Sequence, residues 1–109
     1  MTHIIYQPRQ TGKTTKLVKR AAKVNGQIIC STETSKRNIL ELAKKLNLNI
    51  HKPITIGEFM THRDTTSYNK PLLIDSAEYI LSYIFREKID AITIDAPDTI
   101  LKEEEGHYV

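Results

Sequence analysis

The residues most able to do chemistry are Gly12, Lys13, Thr14 and Thr15, which stand in the run YQPRQTGKTTKLVKRA (6–21). They form the closing half of the phosphate-loop pattern G-x-x-x-x-G-K-[ST]. In such a loop, consecutive backbone N–H groups at the start of a helix converge on phosphate oxygens, a lysine reaches the β and γ phosphates, and a hydroxyl binds Mg²⁺. The pattern therefore predicts a site for a nucleotide and its magnesium ion, with Thr15 near the α phosphate.

The first glycine of this pattern is absent, because Gln7 stands in its place. That glycine eases the turn out of a strand, and another residue can hold the turn if its dihedral angles stay in an allowed region. A chance Gly-Lys-Thr is the alternative, but the position between a β-branched run and an amphipathic helix argues against it. The predicted nucleotide contacts are Pro8, Arg9, Gln10, Thr11, Gly12, Lys13, Thr14 and Thr15.

The elements that must position this loop are predicted from the spacing of apolar residues. Strands are expected at 3–7, 27–32, 54–56, 71–75 and 90–95, and helices from Lys13 to the Asn-Gly pair at 25–26, over 34–47, briefly after Gly57, and after Asp75. Alternating strands and helices predict an α/β fold of the doubly wound class, with a mainly parallel sheet of about five strands and helices on both faces.

Two of these elements carry a more specific expectation. The continuous apolar run 71–75 is typical of a strand buried on both faces. In the helix that follows, the inward residues are predicted to be Ala77, Ile80, Leu81, Ile84 and Phe85. One domain is expected over 1–97, and the segment 98–109 is expected to be a polar, acidic tail.

Composition sets the protein class. The chain has 109 residues, a net charge of +3, 39% hydrophobic and 27% charged residues, which is typical of one ordered globular domain and not of a disordered or fibrous chain. Cys30 is the single cysteine, so no internal disulfide can form; a buried strand residue in a cytoplasmic protein is expected. No apolar run is long enough for a signal peptide or a membrane span, so no membrane partner is expected.

Four segments, taken in order, resemble the P-loop NTPases of the RecA-like branch, in particular the first motor domain of helicases and of viral DNA-packaging terminases. The terminases often have a variant loop similar to PRQTGKTT, with an arginine inside it and no first glycine. IICSTETSKRNILELAKKL resembles the helicase strand and helix after the phosphate loop, LLIDSAEYIL resembles Walker B, and AITIDAP resembles the strand of the next helicase motif. The resemblance covers roughly residues 3–97, and its specific parts are the first segment and the Walker B segment.

The resemblance implies a three-layer P-loop fold and a role for individual residues. Lys13 and Thr14 would contact phosphate and Mg²⁺, Asp75 would be the Walker B acid that holds the water shell of the metal, and Arg9 would point at phosphate. The alternative for Asp75 is a structural role as the N-cap of the helix that follows, and one residue can serve both.

The chain departs from that family at the step of hydrolysis. RecA-like motors place a glutamate directly after the Walker B aspartate to polarise the attacking water, and Ser76 stands there instead. Glu78 is the candidate for a catalytic role beside Asp75. An arginine finger would have to come in trans, from a homo-oligomer or another partner; the candidate arginines are Arg37, Arg63 and Arg86.

Two functions follow as hypotheses. The first is a P-loop protein that binds ATP rather than GTP with Mg²⁺, a weak NTPase accessory to phage or mobile-element DNA replication, recombination or packaging, with DNA or a DNA-processing protein as partner. The second is a binding module that docks on a partner ATPase or nucleic acid without hydrolysis. A small nucleotide kinase ranks last, since about 100 residues hardly leave room for a lid and an acceptor pocket.

Three further patterns have structural interpretations. HRDTTSYN (62–69) has the spacing of a kinase catalytic loop, but the other kinase motifs are missing and a polar loop is predicted. The basic residues of the first helix favour a solvated face over a groove-binding surface. Tyr79 and Tyr83 favour partial packing over a base-stacking platform.

Overall fold

The computed structural model describes residues 3–5, 12–62, 70–93 and 99–101. These residues form a mixed α/β structure in which strands and helices alternate along the chain. The elements are β1 (His3–Ile5), α1 (Lys13–Val24), β2 (Gln27–Cys30), α2 (Glu33–Lys45), β3 (Ile54–Thr55), α3 (Ile56–His62), β4 (Leu72–Ile74), α4 (Ala77–Phe85) and β5 (Thr99–Leu101).

All strand pairs in the described residues are parallel. One sheet has the order β3-β2-β4, and β1 pairs with β5. The ladder between β2 and β4 extends beyond the strands at both ends: Gln27 N donates to Pro71 O at 2.8 Å, and Asp75 N donates to Ile29 O at 3.0 Å. Because the strands are parallel, the carboxyl ends of β2, β3 and β4 lie at one edge of the sheet.

Helix α1 forms as its spacing predicts. Val18 and Ala21 are buried, with Leu17 and Val24 packed beside them. The helix ends at Asn25, whose left-handed backbone (φ 56) directs its N–H to Ala21 O. Asparagine is one of the few residues that adopt this conformation readily, so the predicted stop signal is confirmed.

Helix α2 also follows its predicted apolar stripe, with Ile39 and Ala43 buried. It begins where the Thr32 hydroxyl accepts a hydrogen bond from Ser35 N at 3.1 Å, so a threonine caps the helix. The two helices share one apolar cluster with the sheet. Its buried members are Val18, Ala21, Ile28, Cys30, Ile39, Ala43 and Leu73.

The opposite face of β2 carries a second, smaller cluster. Ile29 points there and packs with Ile56 of α3 and Ile80 of α4. Successive residues of a strand point to opposite faces, so Ile28 and Ile29 face different helices. Helices therefore cover β2 on both faces.

Burial of β4 differs from the prediction. Leu73 is 7% exposed, but its neighbours Leu72 and Ile74 are 45% and 41% exposed. The expectation of a strand buried on both faces is therefore wrong for the face that Leu72 and Ile74 share. The cause lies in α4, which buries Ile80 alone and leaves Ala77, Ile84 and Phe85, all predicted to point inward, exposed.

The predicted fifth strand is misplaced. Residues 90–93 form no regular structure, 94–98 lie outside the described residues, and β5 is found at Thr99–Leu101, inside the segment assigned to the tail. The predicted strand at 90–95 and the observed strand Thr99–Leu101 are both short β-branched runs, and pairing with β1 decides between them. The spacing of apolar residues within a run does not indicate which strand it will pair with. Helix α3 also differs from the brief helix expected after Gly57, because it starts one residue earlier, at Ile56, and extends to His62. Among the described residues, no helix has the length and apolar character needed to cross a membrane.

Candidate functional site

The start of α1 lies at Gly12, which adopts a left-handed backbone with φ 88. Glycine is the residue for which such a φ is free of steric cost. Its carbonyl accepts the first helical hydrogen bond, from Lys16 N at 3.1 Å. Gly12 occupies the N-cap position and has no side chain, so it makes no side-chain hydrogen bond to the first-turn N–H groups of α1, which carry the positive end of the helix dipole.

Asp75 follows β4 and meets this helix start. Its carboxylate accepts a hydrogen bond from the Thr14 hydroxyl and lies within electrostatic reach of the Lys13 ammonium. Its backbone N–H is held by Ile29 O, so the last ladder bond of the sheet fixes its position. Residues far apart in sequence, predicted to share one site, are therefore adjacent.

Burial raises the pKa of the Asp75 carboxyl, and the Thr14 hydrogen bond and the Lys13 charge only partly oppose this. Desolvation disfavours the ionised form of a carboxyl, whereas a nearby cation favours it. A carboxylate held at a partly buried edge beside a lysine is a combination often found at functional sites. A second cation at this position would stabilise the ionised form further.

The alternative role of Asp75, as a helix N-cap, is wrong. The N-cap position of α4 belongs to Ser76, and no side chain caps that helix. Asp75 instead extends the sheet ladder and directs its carboxylate to α1.

The oxygen donors of this site suit magnesium. A hydroxyl and a carboxylate are hard ligands, and Mg²⁺ is commonly held by one or two carboxylates together with phosphate oxygens and water. In the part of the chain that the structure describes, no group of three or more His, Cys, Asp and Glu side chains could enclose a metal. Thr14 and Asp75 are the described residues that could supply oxygen ligands at this edge of the sheet.

The turn after Asp75 carries the residues on which hydrolysis depends. Ser76 has a left-handed backbone (φ 62) and is exposed, so the position where RecA-like motors have glutamate offers a hydroxyl at the surface. Glu78 is exposed in the first turn of α4. The hydrogen bond of Asp75 goes to Thr14, on the α1 side, and the structure leaves Glu78 in solvent.

Cys30 lies at the same edge, at the end of β2, and is completely buried. Its Sγ donates to Ile54 O at 3.5 Å. Burial, followed by the negative charge of Asp75, raises the pKa of the thiol to about 11. The prediction of a buried strand residue is confirmed, and the thiol is protonated at neutral pH.

A polar group that sequence reasoning missed stands beside Cys30. Thr55 Oγ1 accepts from Glu58 N at 3.1 Å, and Glu58 Oε1 accepts from Thr55 N at 2.9 Å, which is a capping box at the start of α3. The signal was available as T-x-x-E in TIGE (55–58). This box fixes the direction in which α3 leaves β3.

Lys36 completes this group. Its Nζ donates to Glu58 Oε1 at 2.8 Å, and the residue is 7% exposed. The hydrogen bond raises the pKa of Lys36 and lowers that of Glu58, so both are charged at neutral pH. A lysine inside a charged helical run is usually solvated, so its burial could not be read from α2 alone. The pair ties α2 to α3 at the carboxyl edge of the sheet.

The structure describes some of the remaining residues that the sequence analysis named, and others lie outside the described ranges. Thr15 is in the first turn of α1, and Arg37 and Arg86 are exposed. Tyr79 and Tyr83 are 50% and 47% exposed, and the Tyr83 hydroxyl lies against Gly57, in keeping with partial packing. Outside the described residues lie Pro8, Arg9, Gln10, Thr11 and Arg63.

Comparison with protein-family models, with curated proteins and with solved structures gave no match to this chain. The resemblance to P-loop NTPases therefore stays a prediction from the sequence segments.

Proposed function

We propose that this chain is a RecA-like P-loop protein that binds ATP, in preference to GTP, together with Mg²⁺. The observation that carries the proposal is the hydrogen bond from the Thr14 hydroxyl to the Asp75 carboxylate beside Lys13. It joins the start of α1 to the end of β4, and these are the two places from which such proteins supply their phosphate and magnesium contacts.

Each of these residues has a definite task in the proposal. The N–H groups at the start of α1 and the Lys13 ammonium bind phosphate oxygens, since both carry positive charge. Thr14 supplies a hydroxyl ligand to Mg²⁺, and Asp75 holds the water shell of the ion. The magnesium ion neutralises phosphate charge when it is bound.

The finer fold belongs to the same proposal. We expect the β1–β5 pair to join the β3-β2-β4 sheet, which would give about five parallel strands between two layers of helices. Support comes from the parallel pairing in both parts and from apolar packing on both faces of β2. The carboxyl edge of an open parallel sheet is also where ligands bind in α/β proteins.

The residues that support ATP hydrolysis are fewer than those that support ATP binding. With Ser76 after Asp75 and Glu78 exposed, no carboxylate in the described residues stands at the position that polarises water in related motors. A weak ATPase would serve as an accessory in phage or mobile-element DNA replication, recombination or packaging, with an arginine supplied in trans. The same observation favours the second candidate, a nucleotide-dependent module that docks on a DNA-processing ATPase or on DNA without turnover.

A melting experiment tests nucleotide binding. At a ligand concentration of 100 times Kd, binding stabilises the folded state by about 2.7 kcal/mol, so Mg-ATP should raise Tm clearly. Lys13→Ala should abolish the increase, whereas Lys45→Ala, an exposed lysine at the far end of α2, should keep it. An equal shift in wild type and Lys13→Ala would place the nucleotide elsewhere.

Phosphate release, with and without DNA, separates the two candidates. An accessory ATPase should release phosphate, and Ser76→Glu should increase the rate. No release in any of these conditions, combined with a retained Mg-ATP melting shift, would establish the non-hydrolysing module.

A further inference from the structure

The outer face of α4 carries large apolar side chains in solvent. Phe85 is 64% exposed and Tyr79 is 50% exposed. The charged residues Glu78 and Arg86 are exposed at the two ends of this face, and the small, partly exposed Ser82 lies midway between them. Exposed apolar surface of this kind, bordered by charges, is typical of an interaction site.

These five residues have a symmetric order. At 3.6 residues per turn, Glu78, Ser82 and Arg86 lie along one side of the helix, with Tyr79 and Phe85 flanking them. Reversing the helix direction about Ser82 exchanges Glu78 with Arg86 and Tyr79 with Phe85. The face is therefore complementary to its own reversed copy: acid meets base, aromatic ring meets aromatic ring, and serine meets serine.

We propose that this face binds the α4 helix of a second copy of the chain, antiparallel, with a two-fold axis at Ser82. A two-fold interface uses the same patch on both molecules, so the patch must complement itself. Glu78 pairs with Arg86 of the second copy on each side of the axis, and Tyr79 packs on Phe85 of the second copy. The small side chain of Ser82 permits close approach at the centre.

The charges at the two ends of this face favour a second copy of the chain over DNA as its partner. DNA would meet Glu78 at one end of the face and be repelled there, whereas an antiparallel copy satisfies both ends with opposite charges. The nine-residue helix offers less area than a stable dimer needs, which is about 1,200–2,000 Å² in total. The dimer should therefore form reversibly as protein concentration rises.

A charge exchange tests the pairing by sedimentation velocity over a range of concentrations. Glu78→Arg sets arginine against arginine, and Arg86→Glu sets glutamate against glutamate, so each should weaken dimerisation about tenfold or more. The double variant Glu78→Arg/Arg86→Glu restores opposite charges and should recover dimerisation. Far-UV circular dichroism checks that each variant is folded.

A disulfide at the axis gives a second measurement. Two cysteines on the axis of an antiparallel pair come within bonding range, so Ser82→Cys should form a covalent dimer under mild oxidation. Cys30 is 0% exposed and does not compete. Thr34→Cys, exposed at the start of α2, is the control and should form no covalent dimer. A wild type that sediments as a monomer at every concentration, or single and double variants that behave alike, would overturn the proposal.

Discussion

Gly26 controls how closely β4 approaches β2, and its replacement by alanine should be costly. A Cβ at this position would overlap Cδ1 of Leu73 and lie 2.9 Å from Pro71 O. Leu73 is in the main apolar cluster, and Pro71 O is held by Gln27 N at 2.8 Å. Pro71 O is a backbone atom and cannot move away without displacing β4 from β2, and Leu73 Cδ1 can move only by repacking in the apolar cluster.

The cost can be estimated from these contacts. Overpacking a core position costs about 1–3 kcal/mol, and a weakened hydrogen bond adds about 1 kcal/mol. The reduced freedom of the unfolded chain returns up to about 1 kcal/mol. We expect Gly26→Ala to lower the free energy of unfolding by about 2 kcal/mol and Tm by about 8–16 °C. Mg-ATP binding should weaken as well, because β4 positions Asp75.

Urea unfolding followed by circular dichroism measures this loss. Gly57→Ala is the matched control, since its Cβ would be close only to the Tyr83 hydroxyl, at 3.2 Å, which ends a half-exposed side chain, and would meet Thr55 Oγ1 at an ordinary 3.8 Å. Gly57 lies in the first turn of α3, where alanine favours the helix, so the control should be within about 1 kcal/mol of wild type. A loss below about 0.5 kcal/mol at Gly26, or equal losses at both glycines, would refute the assigned contact between β2 and β4.

Three other predictions concern the carboxyl edge of the sheet. The pKa of Asp75 is raised in the folded state, so the stability that its protonated form contributes is complete below the ordinary aspartate pKa of about 3.9 and is lost as pH rises through the folded pKa. Asp75→Asn should therefore raise Tm at pH 7 and lose this advantage in acid. The same substitution should abolish Mg-ATP binding. A lower Tm at pH 7 would show that burial does not dominate. Cys30, with its pKa raised to about 11, should resist a thiol reagent at pH 8 in the folded protein and react fully in urea; fast labelling of the native chain would contradict its burial. Thr55→Ala should reduce stability by about 1 kcal/mol in urea titrations and Thr55→Ser by much less, since serine keeps the capping hydroxyl; equal losses would exclude the cap.

The longer helices could be predicted from the sequence because their stability depends on local features. In α1 and α2 the apolar stripe, the Asn25 stop and the hydroxyl cap at Thr32 all indicate the same boundaries. The residues of the candidate site also belong to local sequence patterns. Gly12, Lys13 and Thr14 form a local motif, and Asp75 ends a recognisable apolar run.

The errors occurred where a distant partner decides the outcome. The strand near the C-terminus was misplaced because pairing with β1, not local composition, selects Thr99–Leu101. One face of β4 is exposed because α4 buries Ile80 alone and does not cover Leu72 and Ile74. The sequence of 71–75 contains no information about how far α4 extends over it. Lys36 is buried only because Glu58 comes from another helix. The capping box at Thr55, by contrast, was local and could have been found.

Titration calorimetry of ATP, with and without Mg²⁺, tests the central claim most directly. Wild type should bind one ATP per chain in a magnesium-dependent manner, Thr14→Ser should retain this binding, and both Thr14→Val and Lys13→Ala should lose it while staying folded. Binding that is indifferent to Mg²⁺, or that survives Lys13→Ala, would contradict a nucleotide site built from the start of α1 and Asp75.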